Sequence, residues 1–485
     1  MNTRHAIRFL TMLAISSATA LAAERTQHFD SDPNWDGRNN HARSPEPRTI
    51  EQNFGFSAIT SHCGGAPGEM GGFINPAAEP AYYAKALPTL SFNDVLSASG
   101  KVVCATGPFH VLVGFFNSKS INEWRTPNTI AIRLQGRGDY FYAYVEYTSS
   151  KWRAGGDSPG GFSVIRDAAS GRTRLKGFTS GNMIHTWSLR YDPQGNRGTG
   201  SIHVTIDGEV SICHLDPGHK ADGATFNRFG LLNVMKQWDS GGEVWLDDIS
   251  VNGEEESFDR DPGWEGFQNH HKYVSKDVRP RFDFGYSPTH FAGGKAAGEM
   301  GGLIFRGDGR YTNMMAFYGD RLAELTIKNG LKASGKISLR RAVSDSDVLF
   351  GFFHAQHSLD SGGTDRISTP PDFIGITIGG PSREGFQVSP AYRLHNNEQR
   401  HADGGPYIYP DGASHDFIFE YAPAADGKGN GVIKVTLDGQ PVTLDVPVEH
   451  QAAGAHYNRF GLISTHTDGN VQHLYFDDLT YTFRQ

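Results

Sequence analysis

The chain contains its own duplicate, and no other feature constrains its fold as much. FDSDPNWDGRNNH from Phe29 to His41 matches FDRDPGWEGFQNH from Phe258 to His270 without a gap, and GEMGG stands both at Gly68–Gly72 and at Gly298–Gly302. SASGK at Ser97 answers KASGK at Lys332, VLVGFFN at Val111 answers VLFGFFH at Val348, and FNRFGLL at Phe226 answers YNRFGLI at Tyr457. The order never changes, so the chain is a tandem repeat of about 230 residues per unit. With 485 residues, each unit is long enough to bury a core of its own. The expected division is 23–253 for the first domain and 254–485 for the second.

Each unit reads as β structure. TWSLRYDP at Thr186 and DFIFEYAP at Asp416 alternate apolar and polar residues with period two. So do GSIHVTIDG at Gly200 and GVIKVTLDG at Gly431, and both close in an Asp-Gly turn. Glycine at 59 residues and aromatics at 12% favour strands and tight turns over long helices. These patterns predict an all-β fold of two tandem antiparallel β-sandwich domains. Because the first and last strands of such a unit pair, the FD that opens each repeat is expected beside the DD that closes it.

The opening residues place Arg4 and Arg8 ahead of an apolar run that ends in Ala20-Leu21-Ala22. That is the pattern of a cleaved signal peptide over 1–22, and the run is shorter than the roughly 20 residues a spanning helix needs. The expected location is secreted or periplasmic, with no transmembrane segment in the mature chain. Cleavage removes two arginines and no acid, so the formal charge of -8 becomes -10, a balance that disfavours nucleic acid as a partner.

The strand ending Tyr191-Asp192-Pro193, the VTIDG turn and the closing VWLDDISV and LYFDDLTY strands resemble the concanavalin A-like lectin and glucanase superfamily, including laminin-G-like jelly rolls. The resemblance covers the later half of each unit best. It implies two curved sheets, a concave face that binds or cleaves glycan, and often a structural calcium, with no organic cofactor. The Glu-x-Asp-x-x-Glu strand of the superfamily's glucanases is absent, which argues against their retaining mechanism here. A calcium ion would offset the cost of an inward carboxylate in the FD and DD pairs, so Asp30, Asp248, Asp259 and Asp478 are the expected ligands.

The duplication also separates scaffold from chemistry. Cys63, Cys104 and Cys213 align with Ala292, Leu339 and Leu444, which marks them as core fillers rather than a required disulfide. Glu69 and Glu299, Trp35 and Trp264, and Asn40 and Asn269 occur in both units and are expected to be structural. Function is expected where the units differ. In the first, Tyr140, Tyr142, Tyr144 and Glu146 share one face of a strand, flanked by Trp124, Arg125 and Trp152, and offer stacking surface and hydroxyls to a sugar chain.

In the second unit the corresponding stretches bring His354, His357, Tyr392, Arg393, His395, Glu398, Arg400 and His401, with Asp365, Arg366 and Asp372 before them. His354, Tyr392, Arg393, His395 and Glu398 are the expected catalytic set. A lyase needs a His or Tyr base and a cation facing the uronate, whereas a glycosidase needs two carboxylates, here drawn from Asp365, Asp372 and Glu398. The expected function is therefore a secreted polysaccharide-degrading enzyme, a glycoside hydrolase or a polysaccharide lyase, with a polysaccharide or oligosaccharide as partner. The alternative is a non-catalytic tandem carbohydrate-binding protein.

Overall fold

The computed structural model describes residues 23–42, 48–121, 126–156, 162, 164–166, 173–235, 240–275, 282–343, 345–360, 368–380, 383–425, 427 and 429–484. Two antiparallel sandwiches account for nearly all of them. The first packs a nine-stranded sheet, from Glu209–His214 through Leu96–Cys104 and Gly242–Val251 to His270–Val274, on an eight-stranded sheet that runs from Ala154–Gly155 through Tyr140–Thr148 and Thr129–Gly136 to Glu265–Phe267. The second repeats the pattern with two eight-stranded sheets: one contains Leu331–Ala342 and Val471–Phe483, the other Ser346–Phe353, Phe373–Gly380 and Phe386–Arg393. Each sandwich closes on one continuous apolar core, with Phe115, Trp187 and Phe229 inside the first and Phe350, Phe460 and Phe476 inside the second. The fold class read from the alternation is the fold observed.

The units exchange their opening segments. Ala23–Gln27 pairs with the final strand Val471–Phe483, and Asp36–Arg38 pairs with Phe317–Thr326, so residues 23–42 complete the second sandwich. Reciprocally, Glu254–Glu256 pairs with Gly242–Val251, Glu265–Phe267 with Tyr82–Ser91, and His270–Val274 with Thr49–Ser57 of the first. First and last strands do pair, but crosswise between units, and the expected break at 253/254 falls inside a segment that belongs to the first sandwich. The physical cause is in the repeated motif. Trp35 packs on Tyr318 and Tyr481, Asn40 donates to the Phe284 carbonyl at 2.6 Å, and Asp36 holds Arg459 at 2.6 Å. Trp264, Asn269 and Glu265 do the same for Tyr83, Phe54 and Arg228.

The two GEMGG segments are where these arms cross. Gly68 has φ +132 and Gly298 φ +117, and a Cβ on either would lie 2.1 Å from the Phe258 carbonyl oxygen or 1.9 Å from that of Phe29. Only glycine fits. Each glutamate that follows is fully buried and ties down the loop before it: Glu69 accepts the N–H groups of His62 and Cys63, and Glu299 those of Phe291 and Ala292 with the Thr289 hydroxyl. Burial pushes the Glu69 carboxyl up, but the N–H bonds from His62 and Cys63 more than offset it and hold it below the usual range. Both glutamates are scaffold. The three cysteines are buried, and no disulfide joins them.

The closing Asp-Asp pairs differ from expectation in which partner turns inward. Asp248 and Asp478 both adopt φ +50, a bulge that breaks the strand's alternation and points them outward. Asp248 meets Lys101 at 2.6 Å and Asp478 meets His28 at 2.6 Å. Asp247 and Asp477 are the buried members, each accepting the N–H of the aspartate that follows. Asp30 and Asp259 are exposed, and Asp259 bonds to Ser257. Among the described residues no three of the four expected carboxylates converge.

Candidate functional site

Asp372 is the hub of the place where, among the described residues, two histidines gather around a buried acid. It precedes strand Phe373–Gly380 with φ +51, and its Oδ1 accepts the His456 N–H at 3.3 Å. Asn128 holds the same position in the first sandwich, with φ +62 and its Oδ1 on the Thr225 N–H at 2.9 Å. The backbone cap is thus common to both units. Only the second adds a charge. Asp372 is fully buried, and its Oδ2 takes His357 Nδ1 at 2.8 Å and His395 Nδ1 at 3.1 Å.

With Nδ1 committed to the carboxylate, the Nε2 of each ring is the nitrogen left for chemistry. The His357 and His395 side chains are 47% and 59% exposed. His354 stacks on His357 with centroids 3.9 Å apart, and its Nδ1 accepts the N–H groups of Gln356 and His357, so a neutral His354 carries its proton on Nε2. Burial and then the neighbouring His357 hold the His354 pKa below the ordinary histidine value. The turn is fastened by Ser358, whose hydroxyl donates to the Pro371 carbonyl at 2.6 Å and whose own carbonyl accepts His466 Nε2.

The two exposed rings open on a cavity of about 460 Å³ lined also by Gln356, Asp360, Pro371, Arg393 and Asn397. Arg393 is buried, its guanidinium held by Asn397 Oδ1 at 2.6 Å and the Thr369 carbonyl at 3.0 Å. On strand Phe386–Arg393, Phe386, Val388 and Tyr392 enter the core, so Gln387, Ser389 and Arg393 share the outer face. Gln387 and Ser389 line a second cavity of about 270 Å³ with Arg306, Asp347, Thr377 and His401. Between the two, Leu359 covers Leu349, Phe353 and Ala391.

The expected catalytic set therefore splits. His354, Arg393 and His395 come together, but Tyr392 lies in the core with its hydroxyl on His450 Nδ1 at 2.8 Å, and Glu398 meets His450 Nε2 at 3.2 Å. Burial pushes the Tyr392 phenol up to about 12, which disables it as a base near neutrality. The first sandwich holds the same pair, Tyr147 on His219 Nδ1 at 2.9 Å, so this is scaffold. His357 and Asp372 are the members that sequence reasoning left out of the set. The available signal was the replacement of Asn128 by Asp372 at an aligned position.

In the first sandwich, the tyrosine row forms a half-buried edge-to-face ladder, Tyr140 to Tyr142 at 5.3 Å and Tyr142 to Tyr144 at 6.2 Å. Arg133 lies 3.9 Å above the Tyr144 ring, binds Glu146 at 2.6 Å and reaches His110 at 3.0 Å. Glu146 is thereby consumed by a buried ion pair. Trp152 is half-buried with φ +58, its indole N–H without a partner among the described residues. Trp124 and Arg125 lie outside the described residues, as do Asp365 and Arg366.

No protein-family model matches the chain, and no curated protein matches it in sequence. In structure it is similar to mouse laminin alpha1 chain domains LG4-5, at 11% identity and TM-score 0.22, over 91% of this chain and 94% of that one. It is similar to the carbohydrate recognition domain of Emp47p at 7% identity and TM-score 0.26, covering 44% and 90%, and to alginate lyase Aly36B at 7% identity and TM-score 0.26, covering 39% and 80%. Each unit is an antiparallel β-sandwich. No helix among the described residues is long and apolar enough to cross a membrane.

Proposed function

We propose that the chain is an exported carbohydrate-active enzyme whose second sandwich cleaves a uronate-containing polysaccharide by elimination. One observation carries this: a fully buried carboxylate, Asp372, holds two imidazoles by Nδ1 and leaves their Nε2 atoms at a polar cavity that Arg393 also lines. His395 is the base that takes the sugar proton beside the uronate carboxyl. Asp372 fixes its tautomer and stabilises the imidazolium that results. His357, on the same carboxylate, returns a proton to the leaving oxygen, and the Arg393 charge favours the anion formed in between. Hydrolysis by paired carboxylates suits the site less well, because both oxygens of Asp372 are engaged and Glu398 is turned away to His450.

The test is to offer the mature protein neutral and uronate polysaccharides and follow both new reducing ends and unsaturated-uronate absorbance. Elimination produces both together. Asp372→Asn should keep the fold, since Asn128 already fills that position, and should cost about 10²–10⁴-fold in turnover, as should His395→Ala. Reducing ends without the absorbance would mean hydrolysis. Retention on a glycan with no cleavage would make the chain a tandem lectin. One nitrogen of each ring and an Asp372 oxygen also lie within 4.8 Å of one another, so turnover lost to a chelator and restored by Zn²⁺ would reassign the cluster as a metal centre.

A further inference from the structure

The Tyr-His pair that both sandwiches carry is completed in two different ways. In the second sandwich His450 Nε2 finds its acid, Glu398, within the same sandwich. In the first, His219 is fully buried and its Nε2 meets Glu384 of the second sandwich at 3.1 Å. Because the Tyr147 oxygen already accepts the Asp216 N–H at 2.9 Å, its own proton goes to His219 Nδ1, and His219 in turn donates from Nε2 to the Glu384 carboxylate. Arg153 donates a second bond to Glu384 at 2.8 Å and is itself anchored on Asp222 at 3.1 Å. Beside them the Ala154 N–H donates to the Arg383 carbonyl, and Arg383 pairs with Asp216 at 3.0 Å.

The chain passes between the sandwiches twice, after Ala42 and after Ser275. The flanks of the two crossings are bonded to each other, Phe282 N–H to the Ala42 carbonyl and Ser275 N–H to that of Arg48. The flanks of both crossings thus lie side by side, and contacts elsewhere between the sandwiches bear on how one sits against the other. Arg341 also reaches across, to the carbonyl of buried Ala78 at 3.0 Å. Glu384 is different, since it enters a site with a buried donor already in place.

We propose that Tyr147, His219 and Arg153 form a carboxylate-binding slot in the first sandwich, and that its resident ligand, Glu384, locks the second sandwich in its orientation against the first. The loop so captured joins Phe373–Gly380 to Phe386–Arg393, the two strands beneath both cavities. The lock holds whether or not a glycan is cleaved. The charged groups around Glu384 are His219, Arg153 and Asp222, with Asp216 and Arg383 alongside and Tyr409 nearby. Burial raises its pKa, but the bonds from His219 and Arg153 outweigh this and hold it below the usual carboxylate value. The lock is therefore present above about pH 4.3, the ordinary glutamate value, and is released only as pH falls below it.

Small-angle scattering of the full mature chain tests the slot. In Glu384→Ala the population of open orientations should rise about tenfold, the effect of losing a charge-assisted bond of roughly 1.5 kcal/mol, and the distance distribution should broaden. Circular dichroism should show both sandwiches still folded. Glu398→Ala, which empties the equivalent slot inside one sandwich, should scatter as wild type does. Should the alanine variant not fold, Glu384→Gln keeps the shape, removes the charge and carries the same test. A scattering curve unchanged from wild type in the folded variant, or equal broadening in Glu398→Ala, would overturn the proposal.

Discussion

Asp372 and Asn128 differ by one functional group at aligned positions, and the carboxylate is met by two histidines. Both side chains cap the same backbone N–H, so the fold is indifferent to which is present. The chemistry is not. At the closing strands, Asp247 and Asp477 make the opposite case, because their charge works against the fold. Burial, offset in part by the N–H of the following aspartate and reinforced by neighbouring acids, raises both pKa values to about 6. A raised carboxyl pKa stabilises the fold below the unfolded value near 3.9 and loses that contribution as pH rises through about 6. Asp477→Asn should therefore remove on the order of 2 kcal/mol of the decline between pH 4 and pH 7.5. Thermal unfolding at the two pH values checks this, and identical slopes in variant and wild type would refute it. The pairing of acids was legible in sequence, but the inward member was not, because a left-handed residue at Asp248 and Asp478 resets the alternation that strand reading assumes.

At the level of elements, the strand Phe386–Arg393 explains why the expected site came apart. Tyr392 and Arg393 are neighbours in sequence, and a strand sends neighbours to opposite faces. One enters the core and the other lines the cavity. His357 and His395 come from separate loops, and only the sheet brings them to one carboxylate. The exchanged arms give a sharper test at this scale. Trp35 lies next to the first sandwich in sequence yet packs on Tyr318 and Tyr481 of the second. Trp35→Ala should cost about 2–3 kcal/mol, less than a fully buried tryptophan because the ring is half-exposed. Hydrogen exchange should place the loss in the second sandwich, while Trp264→Ala should loosen the first. Loss in the sequence-adjacent sandwich would contradict the exchange.

For the whole molecule, the exchange means that neither repeat is a complete folding unit. A fragment of residues 254–485 carries the arm of the first sandwich and lacks the arm of its own, so the edges at Phe317–Thr326 and Val471–Phe483 lose their partners. Such a fragment should be markedly less stable than the chain, and a peptide of residues 23–42 added in trans should restore it; titration calorimetry and thermal unfolding with the peptide measure this. No binding of the peptide would count against the arm as an independent plug. The sequence by itself determined the duplication, the all-β class, the turns and the scaffolding role of the repeated glutamates, because these follow from local periodicity and from comparing one half with the other. Which arm closes which sandwich, which aspartate faces inward, and which histidines share a carboxylate were decided only by the tertiary structure. Each depends on contacts between residues far apart in the chain, and local pattern carries no information about which of two equivalent edges a segment will meet.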